Sequence, residues 1–405
     1  MPVQEGCSCA GQAMRKMNMK ILHTSDWHLG HTLYNYDRTE EQEDMLRQMV
    51  RMVREQQPDV FLLCGDVYHT PQPSAAVQTM FANALTALHE AQPEMTLIVT
   101  AGNHDSGSKH DIFRTPWKAL NVHTIGSVDA ERMDDLVVAV PGKGYVAAVP
   151  YTHERNLPKG FFQRLSEYVE ARNTEGLPVV LTAHTTVRGC DPTGHENASE
   201  YTVGGIDAYD LGELGRGYDY VALGHIHRAQ TLPGSQRRAR YCGTPLPVSF
   251  DETYPHSVTL VELSAHGEPP TVRTLDLRVR RPLVTLPTTG TADWKTAKRL
   301  LADYPDDLEA YIRLNVEVDG FLPPEATAEA QQLTTGKKCR FCLIQPHRRE
   351  GGRSEAKRMS VQEFRTEQPM DIARRYAEDL GIGFDAGLQA LFQTALDLME
   401  EENRK

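Results

Sequence analysis

Histidine, aspartate and asparagine side chains recur in this sequence directly after short apolar runs. The stretch LTAHTTVRGC, Leu181 to Cys190, begins like a buried strand and stops at a histidine with no obvious structural task. Residues of the same types follow four other such runs, and the full set is Asp26, His28, Asp66, Asn103, His184, His225 and His227. These residue types bind metal ions in proteins, so the sequence raises the hypothesis of a metal site.

The types of these residues indicate which metals would be bound. Two Asp, one Asn and four His supply mixed oxygen and nitrogen ligands without a thiolate. Such a set suits ions of the manganese, iron or zinc kind better than magnesium or calcium, which prefer oxygen shells. Seven ligands are too many for one ion, and a carboxylate can bridge two ions roughly 3.5 to 4 Å apart. A water between two such ions would ionise near neutral pH and could attack phosphorus in line.

Each motif taken singly has an ordinary structural interpretation. Asp-x-His can cap a helix beside a surface histidine, Gly-Asp can form a turn, Gly-Asn-His-Asp a loop, and Gly-His-x-His a hydrogen-bonded core pair. For any one motif alone, that interpretation is preferable. At five separate strand ends the motifs are, in order, D-x-H, G-D, G-N-H-D, H and G-H-x-H. Because packing does not readily explain this set, the motifs together favour a functional site.

The elements that must position these residues alternate between strands and helices. Six runs between Met19 and about residue 230 each predict a strand: ILHTSD, DVFLLCGD, TLIVTAGNHD, VAAVPY, VVLTAH and YVALGHIH. Two intervening segments predict helices with one apolar face, formed by Leu46, Met49, Val50 and Val53 and by Val77, Phe81, Leu85 and Leu88. This alternation predicts an α/β layered domain. The polar residues then share the rim at the C-terminal strand ends, where open α/β sheets bind ligands.

The remainder of the chain predicts three further regions. YCGTPLPVSFDE and HSVTLVELS predict β-structure that completes a first domain at residues 19–280. Residues 281–345 predict a small α+β domain with a helix in WKTAKRLLADY, a strand in AYIRLNVEV, a helix after Pro323 and Pro324, and a strand in CRFCLIQP. Residues 346–405 predict a linker and two helical stretches, PMDIARRYAEDLG and GLQALFQTALDLME, which are too short to fold alone. Residues 1–18 are expected to be a disordered extension or a misassigned start ahead of Met19.

Composition excludes several classes of protein. The 405-residue chain is 40% hydrophobic and 24% charged, as in ordinary globular proteins. Its formal net charge of −12 argues against non-specific coating of nucleic acid, although bound cations would lie outside that count. The cysteines are scattered, and neither Cys7 with Cys9 nor Cys339 with Cys342 has the second pair of a zinc site, which indicates reduced thiols. No run has the length of a membrane span or the apolar core of a signal peptide, so we expect a cytoplasmic protein.

The motifs TSDWHLG, GDVYHT, AGNHDS and ALGHIHRAQ, followed by YCGTPLPVSFDE, closely resemble the calcineurin-like metallophosphoesterases and, within them, the bacterial SbcD-type nuclease subunits. The resemblance runs from Met19 nearly to the end of the chain. It implies a metallophosphoesterase-type layered α/β sandwich, a small α+β capping domain over the active-site cleft, and a C-terminal helical segment that binds a coiled-coil ATPase of the SbcC type. It also implies an ATP-dependent double-strand exonuclease that cuts single strands and hairpins in DNA repair and recombination, acting at the nucleoid as a homodimer within a heterotetramer.

The same resemblance implies a role for each site residue. One manganese ion would be held by Asp26, His28 and His227 and the other by Asn103, His184 and His225, with Asp66 bridging them. His104 would contact the scissile phosphate and donate a proton to the leaving 3′ oxygen, a task that suits an imidazole.

His69 helps to separate subfamilies. It stands where protein Ser/Thr phosphatases have the second Asp of G-D-x-x-D-R-G, and the Arg of that motif is absent here, which disfavours phosphomonoester substrates. The SbcD-type subunits have a histidine at this position, close to the catalytic one. A structural role for Tyr68 and His69 remains an alternative.

Two features admit more than one interpretation. Basic residues cluster at Lys337, Lys338, Arg340, Arg348, Arg349, Arg353, Lys357 and Arg358 and at Arg237, Arg238 and Arg240, and they form either a DNA contact or a solvated face. The apolar residues Leu380, Phe384, Leu388, Leu391, Phe392, Leu396 and Met399 either pack back on this chain or bind the ATPase.

Two other functions remain possible from the sequence alone. One is a stand-alone metallophosphodiesterase or phosphatase on small substrates, and the other is a non-catalytic adaptor. The presence of the complete ligand set argues against an adaptor. The chain has no Gly-x-x-x-x-Gly-Lys-Ser/Thr loop, so ATP would be used by the partner chain.

Overall fold

The computed structural model describes residues 18–194, 208–348, 370–371, 373–374, 377 and 383–403. The chain divides into two compact units, Met1–Arg348 and Arg349–Lys405. None of the helices in the described ranges combines the length and the apolar character of a membrane span.

Strands and helices alternate along most of the larger unit. The strands are β1 Met19–Thr24, β2 Val60–Cys64, β3 Thr96–Thr100, β4 Val122–Ile125, β5 Val137–Val140, β6 Gly144–Val149, β7 Val179–His184, β8 Thr186–Val187, β9 Ala208–Tyr209, β10 Tyr220–Gly224, β11 Gln230–Thr231, β12 Ala239–Tyr241, β13 Ser257–Leu263, β14 Thr271–Asp276, β15 Leu283–Leu286, β16 Tyr311–Val318 and β17 Arg340–Arg348. The helices, including one in the smaller unit, are α1 Thr39–Gln56, α2 Ala75–Ala91, α3 Gly107–Ile112, α4 Arg114–Trp117, α5 Phe161–Glu170, α6 Trp294–Ala302, α7 Ala326–Leu333 and α8 Ala386–Asn403.

Two six-stranded sheets pack face to face in the larger unit. Their strand orders are β14-β13-β1-β2-β3-β4 and β11-β12-β10-β7-β6-β5. Strands β1 to β4 are parallel, and so are β6, β7, β10 and β12. Their C-terminal ends therefore lie along one rim of the sandwich.

The apolar runs are continuous because each central strand is buried on both faces. In β2, Val60, Leu62 and Cys64 face the core between the sheets. The alternate residues Phe61 and Leu63 instead pack in a second core, which contains the apolar faces of α1 and α2. The α/β layered fold predicted from the sequence is confirmed, as are both helices and all six strands of the predicted pattern.

One predicted stretch of β-structure was wrong. In YCGTPLPVSFDE, β12 ends at Tyr241, and the chain is irregular until β13 begins at Ser257. Pro245 and Pro247 lack the amide hydrogen that a sheet ladder requires, which explains why the strand does not continue. This loop instead carries Glu252 into the interior.

A small α+β region follows the two sheets. Strands β15, β16 and β17 form a parallel three-stranded sheet, and α6 and α7 contribute to its separate apolar core. The two helices and the strands β16 and β17 match the sequence prediction, whereas β15 was not predicted. The domain limits and the capping role remain predictions.

Buried polar contacts join this region to helix α1. Glu41 on α1 accepts hydrogen bonds from Arg281 and, at 2.8 Å, from the Tyr311 hydroxyl. Arg281 and Glu41 are 5% and 2% exposed, so the pair is shielded from water.

The smaller unit is described only in part. Helix α8 covers the second predicted helical stretch, and Leu388 and Leu391 on it are exposed. The described residues of the first stretch, 370–371, 373–374 and 377, are helical. The predicted extension up to residue 17, most of the predicted linker and Leu380 lie outside the described residues.

We predict that Glu41→Gln lowers the free energy of unfolding by about 3 kcal/mol, because the buried Arg281 loses its buried carboxylate partner and keeps only the more exposed Glu309, at 3.5 Å. Urea denaturation followed by circular dichroism would measure the change. Glu43→Gln on the same helix is the control, since its exposed ion pair with Arg47 contributes at most about 0.5 kcal/mol. Equal stability of the two variants would contradict the role assigned to the buried pair.

Candidate metal centre

The seven side chains predicted as metal ligands converge at the rim of the two sheets. Asp26 and His28 follow β1, Asp66 follows β2 and Asn103 follows β3. His184 is the last residue of β7, and His225 and His227 follow β10. All are buried except Asn103, which is exposed. The site is therefore a largely buried set of ligand atoms with one open side.

The first group of ligand atoms belongs to Asp26, His28 and His227. One atom from each lies within 4.8 Å of the other two. The Nε2 atoms of His28 and His227 face each other at 3.2 Å. A cation between these atoms would be bound by two imidazoles and a carboxylate, which matches the donor set of a transition-metal ion.

The second group contains Asp66, His184 and His225, whose ligand atoms also lie within 4.8 Å of one another. The Asn103 Oδ1 atom is 3.0 Å from His184 Nε2 and 3.0 Å from His225 Nδ1. The lone pairs of these oxygen and nitrogen atoms face one another, and only protons or a cation can offset their mutual repulsion. The residues therefore fit a second metal ion.

Asp66 lies between the two groups. Its Oδ2 atom is 3.4 Å from His184 Nε2 and 3.8 Å from His28 Nε2. One carboxylate thus approaches an imidazole from each group, which is the arrangement required of a bridging ligand.

Burial and charge oppose each other in this centre. Burial alone would raise the pKa of Asp66, but the nearby His184 and His28 hold that pKa well below its usual range. Burial disfavours the charged form of His184, yet the combined attraction of Asp66, Asp26 and the Cys64 carbonyl oxygen outweighs burial and raises the pKa of His184 to about 9. At His227, burial is likewise outweighed by the combined effect of the hydrogen bond to Glu252 and the charges of Glu252, Asp26 and Asp66, which raises its pKa to about 9. In the absence of metal, the protons on His184 and His227 neutralise the negative charge of the buried carboxylates.

The backbone adopts unfavourable conformations where it delivers the ligands. Asp26, His28, Asp66 and His225 have φ angles of 54°, 44°, 49° and 97°, in a region that residues other than glycine rarely occupy. Gly65 has a φ of +85°, and a Cβ atom there would lie 2.1 Å from His184 Nδ1. Only glycine at this position lets the β2 loop pass so close to the imidazole.

Hydrogen bonds orient the ligand imidazoles. His184 Nδ1 donates to the Cys64 carbonyl oxygen at 2.8 Å, so its Nε2 atom faces the second group. His227 Nδ1 donates to Glu252 Oε1 at 3.2 Å, which directs its Nε2 atom toward the first group. Bonds of this kind set the tautomer and raise the basicity of a metal-binding histidine.

Glu252 is a functional candidate that sequence reasoning missed. It is buried, and its Oε1 atom also accepts the Val248 amide at 3.1 Å. The signal was present, since Glu252 ends the SFDE segment that carries part of the family resemblance. No spacing rule, however, connects this carboxylate with His227.

His104 and His69, the predicted catalytic residues, lie beside the two groups. The His104 amide donates to Asp66 Oδ1 at 2.9 Å, and its Nδ1 atom donates to the His69 carbonyl oxygen at 3.0 Å. The two rings stack with centroids 5.7 Å apart. The His31 ring, buried and 4.7 Å from that of His69, completes this row and was not predicted.

Asp105, the last polar residue of AGNHD, has a structural role. Its carboxylate accepts the amides of Val67, Tyr68 and Gly102 at 2.8 to 3.0 Å. It therefore ties the loop after β2 to the loop after β3, which places Asp66 against Asn103.

The basic clusters make mainly intramolecular contacts where they are described. Lys337 binds Asp306 and two carbonyl oxygens, and Arg340 binds the Asp37 carbonyl oxygen. Arg238 and Arg240 bind groups on neighbouring segments. These contacts favour a structural role for the four residues; Arg349, Arg353, Lys357 and Arg358 lie outside the described residues.

Comparison with known proteins agrees with this geometry. The profile of the calcineurin-like phosphoesterase family matches residues 19–229. The chain is 30% identical over 374 residues to the SbcD component of the SbcCD nuclease of Bacillus subtilis, covering 85% of this chain and 91% of that protein. It is 26% identical over 419 residues to the corresponding SbcCD component of Escherichia coli K12, covering 95% and 100%.

The chain belongs to the SbcD family of calcineurin-like phosphoesterases. The resemblance noted in the sequence is thereby confirmed. As a member of this family the chain is a hydrolase and a nuclease subunit, and the family's use of divalent metal ions agrees with the two groups of His and Asp ligands.

The SbcD-family centre should bind metal more tightly as pH rises. His184 and His227 are protonated below about pH 9 in the metal-free site and must lose those protons to bind a cation. We expect the affinity for Mn²⁺ to increase about 10- to 100-fold per unit between pH 6 and pH 8, with proton release. Calorimetric titration in buffers of different ionisation enthalpy would measure both quantities. An affinity that is constant over this range would contradict the assignment.

Glu252→Gln should weaken metal binding by about 10- to 100-fold, because an amide that donates to Nδ1 reverses the tautomer of His227. Calorimetric titration with Mn²⁺ at constant pH would test this. Glu262→Gln in β13, away from the loop that carries Glu252, is the matched control. Equal affinities of the two variants would show that Glu252 does not orient His227.

Proposed function

We propose that this SbcD-family protein hydrolyses DNA phosphodiester bonds with two divalent ions, which we take to be manganese. Asp26, His28 and His227 would bind one ion, and Asn103, His184 and His225 the other, with Asp66 shared. The observation that carries the proposal is the position of Asp66 Oδ2, within 3.8 Å of an imidazole nitrogen from each group. The mixed nitrogen and oxygen donor set favours manganese over magnesium.

Two such ions, when bound, would activate a water molecule and neutralise charge on the phosphate. The residues of this chain contribute orientation and proton transfer. Glu252 and the Cys64 carbonyl oxygen orient His227 and His184, while the Asp66 carboxylate accepts the His104 amide. Asn103, the exposed ligand, lies on the side from which a phosphate would enter.

His104 is proposed to donate the proton that the leaving 3′ oxygen requires. Its Nδ1 atom donates to the His69 carbonyl oxygen, which leaves Nε2 as the nitrogen available to a substrate. His69 stacks on the His104 ring and limits its rotation. General acid catalysis of this kind contributes typically about 10²- to 10⁴-fold to a rate.

We also propose the partners implied by the family. The relatives are named as components of SbcCD nucleases. A coiled-coil ATPase of the SbcC type would bind the C-terminal segment, where Leu388 and Leu391 of α8 are exposed apolar side chains. A homodimer of this protein within a heterotetramer would then act at the nucleoid as an ATP-dependent double-strand exonuclease, cutting single strands and hairpins as an endonuclease.

His104→Ala should reduce DNA cleavage at least about 100-fold while the chain still binds two equivalents of Mn²⁺, because His104 is not among the proposed ligands. Cleavage of labelled single- and double-stranded DNA, with and without chelator and the ATPase, would measure the activity. His89→Ala on α2 is the control. If the wild-type chain with metal cuts no DNA, alone or with its ATPase, the proposed function is wrong. If His104→Ala cuts at the wild-type rate, the role of His104 is wrong.

A further inference from the structure

An aromatic pair lies next to the metal centre at the end of β6, the strand beside β7 in the second sheet. The Tyr151 ring centroid is 6.2 Å from that of His184 and 6.4 Å from that of His225. The His153 ring meets Tyr151 edge-on, with centroids 5.5 Å apart and an angle of 65°. Tyr151 is half-buried and His153 is exposed, so a row of rings leads from the metal centre to solvent.

The position of Tyr151 is determined by the same loops that hold the ligands. Its amide donates to the Ala101 carbonyl oxygen at 2.8 Å, two residues before Asn103. Tyr151 thus links the end of β6 to the loop that supplies the exposed ligand. The two segments that this hydrogen bond joins follow the strands β6 and β3. The Tyr151 ring is therefore held in place before any substrate arrives.

The charges around this pair suit a nucleic acid strand. Two exposed cations, Arg155 and Lys159, and one exposed anion, Glu154, follow His153, so positive charge is in excess there. A surface that places aromatic rings beside cations can stack bases and attract phosphates at the same time. A small phosphoester would need only the metal centre, whereas a polynucleotide also presents bases next to the scissile phosphate.

We infer that Tyr151 and His153 form a nucleobase-stacking subsite, which takes an unpaired base adjoining the scissile phosphate. This inference rests on the proposed hydrolysis of DNA. Stacking on aromatic side chains tolerates any base, because every base has a π face. In a duplex, neighbouring base pairs cover that face, so the subsite engages single strands, loops and frayed ends.

The test compares oligothymidine with an abasic oligomer of the same length, for the wild type, His153→Ala and Tyr151→Phe. The measured quantities are kcat/KM with Mn²⁺ and the dissociation constant in chelator, by fluorescence anisotropy. His153→Ala is the main variant because the side chain is exposed and its loss leaves the fold intact. Arg155→Ala is the control for charge, since it removes a neighbouring cation but no ring.

We expect His153→Ala to lower the preference for oligothymidine over the abasic oligomer roughly tenfold in both quantities. Tyr151→Phe keeps the ring and should keep the wild-type preference, and Arg155→Ala should change affinity for both oligomers alike. An unchanged preference in His153→Ala would overturn the subsite. Failure of the wild type to cut either oligomer would overturn the proposed function, and the binding preference would still decide the subsite.

Discussion

The structure depends on neutralising the negative charge of two carboxylates, Asp26 and Asp66, that are almost completely removed from water. An isolated buried carboxylate is too costly to remain ionised, so each must have a positive partner. In this protein the positive partners are imidazoles from strand ends far apart in sequence, His184 and His227, whose pKa values are raised by the nearby carboxylates. The same imidazoles can exchange their protons for metal ions, which turns a requirement of folding into a site for chemistry.

The two sheets supply the rigidity that this arrangement requires. Parallel strands bring their C-terminal ends to one rim, and the adjoining loops accept strained conformations at Asp26, His28, Asp66 and His225. Such strain persists only where the surrounding structure determines the backbone. Asp105 illustrates how this happens, since its carboxylate binds three amides from two loops and fixes the distance between Asp66 and Asn103.

Much of this site could be predicted because strand ends are visible in a sequence. An apolar run followed by His or Asp identifies both the strand and the rim, and the structure brings all seven predicted ligands together. Glu252 and His31 could not be found in this way. Their contacts with His227 and His69 form through tertiary packing of loops, to which no periodicity applies. The loop between β12 and β13, which carries Glu252, also explains the wrong strand prediction. Pro245 and Pro247 interrupt a segment whose composition otherwise favours β-structure.

The central claim is that Asp66 joins two metal ions in one centre. The most direct measurement is anomalous diffraction from crystals soaked in Mn²⁺. Our account predicts two peaks roughly 3.5 to 4 Å apart, one beside Asp26, His28 and His227 and the other beside Asn103, His184 and His225, with an Asp66 oxygen at each. A single peak, or two peaks of which one is out of reach of Asp66, would contradict it.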